Sequence, residues 1–216
     1  MGDESSPIVR LSTRDVAPVD RLSYASWILG SALAPAAVST GTPSQYELDV
    51  TALELPSIAI VAQSGSPQRA IRARAEVRRT SQRYFFLVLV LSGSWHVTNV
   101  TRTRLGPGDL VFYDSRYPLD CDLLLHWSGL NLQLSEQFVR KWVPNPAVLG
   151  WRNICRDSHW GRALGELRRP VVARARRASS AAAGRTDRST RSVIGLDRER
   201  AKRASCRINA GRALGA

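Results

Sequence analysis

Hydrophobic and polar positions alternate along this chain with two different periods, and the changes of period mark out its elements. From Pro18 to about Leu33, the apolar residues Leu22, Ala25, Leu29 and Ala32/Leu33 recur at three- and four-residue intervals with Trp27 and Ile28 at their flanks. This spacing predicts an amphipathic helix, ended by Pro35. The period then drops to two. Strands are predicted around Tyr46 to Leu55 and Ser57 to Gln63, broken by Pro56 and closed by Ser64-Gly65-Ser66-Pro67. Next, Ile71, Ala73, Ala75 and Val77 alternate with Arg72, Arg74, Glu76 and Arg78, the pattern of a strand with one buried face and one wet face. Tyr84 to Leu91 is apolar at every position, which predicts a strand covered on both sides, and Ser92-Gly93 turns it toward Trp95, Val97 and Val100.

The stretch Leu105 to Pro118, LGPGDLVFYDSRYP, punctuates the middle of the chain. Gly106, Pro107 and Gly108 specify a tight turn that Asp109 can tie through its side chain, and Leu110 to Tyr113 form a short apolar strand. Asp114 and Ser115 read as local turn residues, and Tyr117-Pro118 forces an extended backbone. Cys121, Leu123, Leu125 and Trp127 then alternate with Asp120, Asp122, Leu124 and His126, and Leu130, Leu132 and Leu134 extend the pattern. At Ser135 the period changes again: Glu136 to Val143 suits a short helix capped by Ser135 and stopped by Pro144-Asn145-Pro146. A second helix is predicted from about Ser158 through Leu164 and Leu167.

Composition divides the chain. All 15 aromatic residues lie at or before Trp160, and residues 1–167 carry 17 Lys+Arg against 15 Asp+Glu, whereas residues 168–216 carry 14 against 3. The net charge of +13 is therefore concentrated in the last segment, which is rich in Arg, Ala, Ser and Gly, has no sustained period, and reads as disordered. The expected organisation is a mobile arm over residues 1–17, a folded domain over 18–167 and a basic tail over 168–216. Cys121, Cys155 and Cys206 are odd in number and widely spaced, suggesting neither a disulfide framework nor a zinc site, and a reducing cytoplasm is expected. No signal peptide or membrane span is expected.

The succession Ala75-Glu76-Val77-Arg78-Arg79, Tyr84 to Gly93, Leu105 to Ser115 and Tyr117-Pro118, with helices at Arg21-Leu22-Ser23-Tyr24 and from Ser135, resembles the N-terminal ligand-binding domain of AraC-type transcriptional regulators over about residues 18–167. The resemblance implies a mainly β fold: a cupin-like β-barrel with an N-terminal helix and short C-terminal helices. It also implies a small-molecule effector, a homodimer, and a further domain with two helix-turn-helix units. Residues after Leu167 show no such pair, so no residue is assigned to specific DNA contact. The tail composition matches a shifted reading frame in a GC-rich gene, and its charge supports only non-specific nucleic-acid contact.

Candidate chemistry narrows the picture further. His96, His126 and His159 fall on separate segments without the histidine spacing of a metal-binding cupin, so no metal or other cofactor is assigned. Asp109, Asp114, Asp120 and Asp122 cluster in sequence, but turn and solvent roles explain all four. Cys121 lies on an apolar face without a partnering histidine and reads as an inert buried thiol. Trp95, Tyr113 and Trp127 are the candidate effector-binding residues, because pockets are mostly apolar and aromatic; the same rings would also serve to fill a barrel. The expected function is that of a non-enzymatic effector sensor of an AraC-like regulator. The alternatives are a metal-free cupin-like enzyme or isomerase, or a degenerate protein without function.

Overall fold

The computed structural model describes residues 8–159, apart from residues 81, 100 and 150, together with Arg162. The elements in chain order are β1 (Ile8–Ser12), α1 (Arg21–Ala32), β2 (Ala37–Ser39), β3 (Leu48–Glu54), β4 (Ile58–Gly65), β5 (Gln68–Arg72), α2 (Arg74–Arg78), β6 (Tyr84–Ser92), β7 (Trp95–Thr98), β8 (Arg102–Leu105), β9 (Leu110–Asp114), β10 (Leu119–Leu123), β11 (Trp127–Ser135), α3 (Glu136–Arg140) and β12 (Arg152–Ile154). Seven strands form one sheet in the order β1-β3-β4-β11-β6-β9-β12 and five form a second in the order β2-β5-β10-β7-β8. Every pairing in both sheets is antiparallel. Residues of both sheets meet in one core, among them Val61, Phe86 and Val88 from the larger sheet and Trp95, Val97 and Leu123 from the smaller. The architecture is a cupin-like barrel, mainly β. Among the described residues no helix is long and apolar enough to cross a membrane.

The strand β6 shows why an unbroken apolar run was needed. It lies between β11 and β9, with Phe86, Val88 and Val90 turned into the barrel. Leu87, Leu89 and Leu91 face outward, where they join Leu110, Leu130 and Leu132 in a second apolar cluster. The helix α1 closes one side of the barrel with Tyr24, Ala25, Ile28, Leu29 and Ala32 buried, so Ile28 stands at the centre of the predicted stripe. The turn before β9 is built as its residues dictate. Asp109 Oδ2 accepts from Gly106 N at 2.8 Å, Gly108 N donates to Val90 O at 2.8 Å, and Gly108 takes a positive φ of 95°. Ser135 Oγ accepts from Phe138 N at 3.1 Å and caps α3 as its position predicts.

Four expectations are corrected. Residues 71–78 are not one strand: β5 ends at Arg72, and Arg74–Arg78 forms α2. Ala, Arg and Glu are strong helix formers, and Glu76 Oε2 accepts from Ala73 N at 3.0 Å to close the first turn. The faces of β5 are also inverted, since Arg72 is buried together with Gln68 while Arg69 is exposed. Residues 8–17, read as part of an arm, belong to the barrel. β1 pairs with β3 from Ile8↔Leu53 to Ser12↔Asp49, Leu11 enters the core, and buried Thr13 Oγ1 accepts from Leu48 N at 2.8 Å. The alternation from Cys121 to Leu134 is interrupted, because residues 124–126 form a connection in which Leu124 and Leu125 are exposed. Most of the helix expected from Ser158, and the tail over 168–216, lie outside the described residues.

Candidate functional site

Strand alternation turns Gln68 and Arg72 of β5, Cys121 of β10 and Trp95 of β7 toward Gln63 of β4, Tyr113 of β9 and Asn131 of β11. Between them lies a cavity of about 100 Å³, walled also by Leu29 and Leu33 at the end of α1 and by Trp151. Trp95, Tyr113 and Trp127 all line it.

The two indoles meet edge to face, with centroids 5.5 Å apart and planes at 88°. Trp95 Nε1 donates to Ser92 O at 3.1 Å and Trp127 Nε1 to Ser66 O at 2.8 Å, so both polar atoms are already satisfied and the rings offer apolar surface. Tyr113 stacks on Phe86 at 4.9 Å and lies 6.2 Å from Trp151. Burial raises the pKa of its phenol, with Cys121 adding to the rise and Arg72 opposing it, so the hydroxyl stays a neutral donor. Burial also pushes the Cys121 thiol up to about 12, helped by Asp120 and Asp122.

Polar groups interrupt these apolar walls. The Tyr46 hydroxyl donates to Gln68 Oε1. Arg72, 4% exposed, donates from Nη1 to Pro35 O at 2.8 Å, from Nη2 to Thr80 Oγ1 at 2.9 Å and to Ser115 O at 3.1 Å, and from Nε to Ser115 O at 3.3 Å. Burial lowers its pKa, against the opposing effect of Tyr113 and Glu76. Asn131 Nδ2 and Gln63 Oε1 are buried without hydrogen-bond partners among the described residues. Sequence reasoning missed Arg72, Gln63 and Asn131. A signal for Asn131 was present: inward positions are odd-numbered at Trp127, whereas the leucines at 130, 132 and 134 are even-numbered, which leaves Asn131 and Gln133 on the inner face.

The remaining candidate groups stay apart from the cavity. His96 lies on β7 opposite Arg104 and Asp122, His126 is exposed in the connection before β11, and His159 is exposed. Among the described residues no three His, Cys, Asp or Glu side chains are grouped to hold a metal ion. Asp109 serves its turn and accepts from Arg156 N at 3.1 Å; Asp120 pairs with Arg69 at 2.6 Å on the outer side of the small sheet. Asp114 serves the turn expected of it and does more. It is fully buried, pairs with Arg83 at 2.6 Å and accepts from Arg116 N at 3.0 Å, while Arg83 reaches Glu136 at 2.7 Å. Burial raises its pKa, but these donors outweigh burial and hold the carboxyl below its ordinary value. This pair joins β9, β6 and α3.

Fold and site together define a cupin-type barrel closed around a small aromatic-walled cavity. The family model of the AraC-binding-like domain matches residues 25–193, and the chain belongs to that family, a family of ligand-sensing regulatory domains. The match runs past Leu167 into the arginine-rich segment. Among solved structures, the AraC-like transcriptional activator CuxR is similar with a TM-score of 0.52 at 19% identity, covering 60% of this chain and 48% of that one. The chain thus spans about half the activator's length, and at this identity the likeness is one of fold. Weaker overlaps include a putative ethanolamine utilization protein from Salmonella typhimurium (TM-score 0.34, 15% identity, 41% of this chain and 69% of that one). A cupin superfamily protein from Desulfitobacterium hafniense overlaps similarly (TM-score 0.33, 14% identity, 41% and 78%). The comparison with curated proteins matched nothing.

Proposed function

We propose that this chain is the effector-sensing part of an AraC-like transcriptional regulator, that a small molecule enters the barrel against Trp95, Tyr113 and Trp127, and that its presence alters how two copies of the chain pair. The observation that carries this reading is the make-up of the cavity wall. Leu29 of α1, Leu33 just after it, and Trp151 beyond α3 line it beside the barrel strands. An occupant therefore touches the helix and the terminal segment directly and can bias their positions through its differential contacts. Catalysis has less to work with: Asp109, Asp114 and Asp120 are engaged in turns and ion pairs away from the cavity, and the Cys121 thiol is held protonated.

The test is a thermal-shift screen of small metabolites on the full chain. Each hit is then titrated against Trp95→Ala, Tyr113→Ala and Trp127→Ala and taken to sedimentation velocity. Effector binding is expected to weaken about tenfold or more in each variant and to change the sedimentation coefficient. Unchanged affinity in all three folded variants would remove these residues from the site.

A further inference from the structure

Arg72 is the charged side chain among the described residues that line the cavity, and each of its hydrogen bonds among the described residues goes to a neutral acceptor. It forms no ion pair with a carboxylate among the described residues; Glu76 acts on it from α2 while its own Oε2 is engaged at Ala73 N. A buried charge ordinarily sits against an opposite one, because neutral dipoles alone replace only part of its hydration. The carbonyls of Pro35 and Ser115 and the Thr80 hydroxyl fix the plane of the guanidinium and occupy Nε, Nη2 and one N–H of Nη1. A second N–H on Nη1 remains. The Tyr113 phenol, neutral and close enough to affect Arg72 electrostatically, supplies another donor at the same corner. On the larger sheet Asn131 Nδ2 and Gln63 Oε1 lack partners among the described residues, and between the two polar regions stand the Trp95 and Trp127 rings.

We propose that the effector is a small monocarboxylate with a flat apolar body. Its carboxylate takes the remaining Arg72 N–H and the Tyr113 hydroxyl, its body lies against the two indoles, and a polar substituent, where there is one, meets Asn131 and Gln63. The ligand supplies the negative charge that the wall lacks, and charge-assisted hydrogen bonds to a fixed guanidinium give it preference over a neutral molecule of the same shape. This rests on the sensor reading above.

The test uses isosteric pairs on the unmodified full chain: benzoate against benzamide, and furan-2-carboxylate against furan-2-carboxamide, each measured by isothermal titration. Each carboxylate is expected to bind about tenfold or more tighter than its amide. Arg72→Gln is expected to abolish that preference, and Tyr113→Phe to reduce carboxylate binding severalfold. If Arg72→Gln does not fold, the isosteric pairs decide alone. Amides that bind as tightly as carboxylates overturn the charge assignment and leave the sensor reading standing. A carboxylate preference that persists in folded Arg72→Gln places the anion away from this guanidinium and overturns it as well. Silence from all four compounds overturns the proposal and leaves the sensor reading to the metabolite screen.

Discussion

The Trp95 indole lies directly over Gly129: a Cβ at position 129 would stand 2.5 Å from Cη2 and 2.9 Å from Cζ2. The indole has little room to retreat, since Nε1 is tied to Ser92 O and the ring abuts Trp127. Gly129→Ala should therefore cost about 1–3 kcal/mol of stability, the range for overpacking a dense core. A lowered urea midpoint with altered near-ultraviolet circular dichroism is the expected result. An unchanged midpoint would mean that the tryptophan pair shifts freely.

Asp114→Asn should destabilise the domain by about 1.5–3 kcal/mol at neutral pH, because the buried Arg83 loses one of its two carboxylates and keeps Glu136, while the half-exposed Arg116 loses a weaker contact. The depressed pKa sets the pH dependence. The unfolded chain takes up its proton near the ordinary 3.8, before the folded chain does, so the Asp114 contribution is complete above that value and is lost as pH falls through the lower folded-state value. Urea denaturation of both proteins at neutral pH and near pH 3 should show the gap between them narrowing toward acid. A constant gap would locate the effect in shape, not charge.

Ellman's reagent should distinguish the two thiols that lie among the described residues. Cys155 is exposed and should react readily, whereas Cys121, half-buried and with its thiol raised to about 12, should react far more slowly until the chain is denatured. Peptide mass mapping separates the two sites. Labelling of native Cys121 at a rate similar to Cys155 would show that the wall between β10 and α1 opens on the timescale of the reaction.

The legible part of the sequence was local. Tyr84 to Leu91 announced a strand covered on both faces, Ser135 announced its helix, and the Gly-Pro-Gly-Asp turn carried its own hydrogen bond. The illegible part depended on distant partners or on residues that suit two periods. Asp114 reads as a turn residue until Arg83, 31 positions away, is brought beside it. Arg72 was assigned to water because alanine and arginine alternate around it. Alanine, however, marks neither a face nor a strand and favours helix, and a helix begins at Arg74. Trp95, Tyr113 and Trp127 could be nominated as aromatics of a barrel. Their meeting around one cavity required the pairing of β7, β9 and β11 with strands far from them in the chain.

Trp151 sits at the threshold of β12, beyond the last helix, and still forms part of the wall around Tyr113. This sets a practical boundary. A fragment that stops after α3 retains every strand of the inner walls yet removes both the ring that shields Tyr113 and the edge strand that pairs with Leu110 to Phe112. Such a piece would fold as a barrel with a side left ajar. Any minimal sensor cut from this chain, for expression or for grafting onto another output, should keep Ile154.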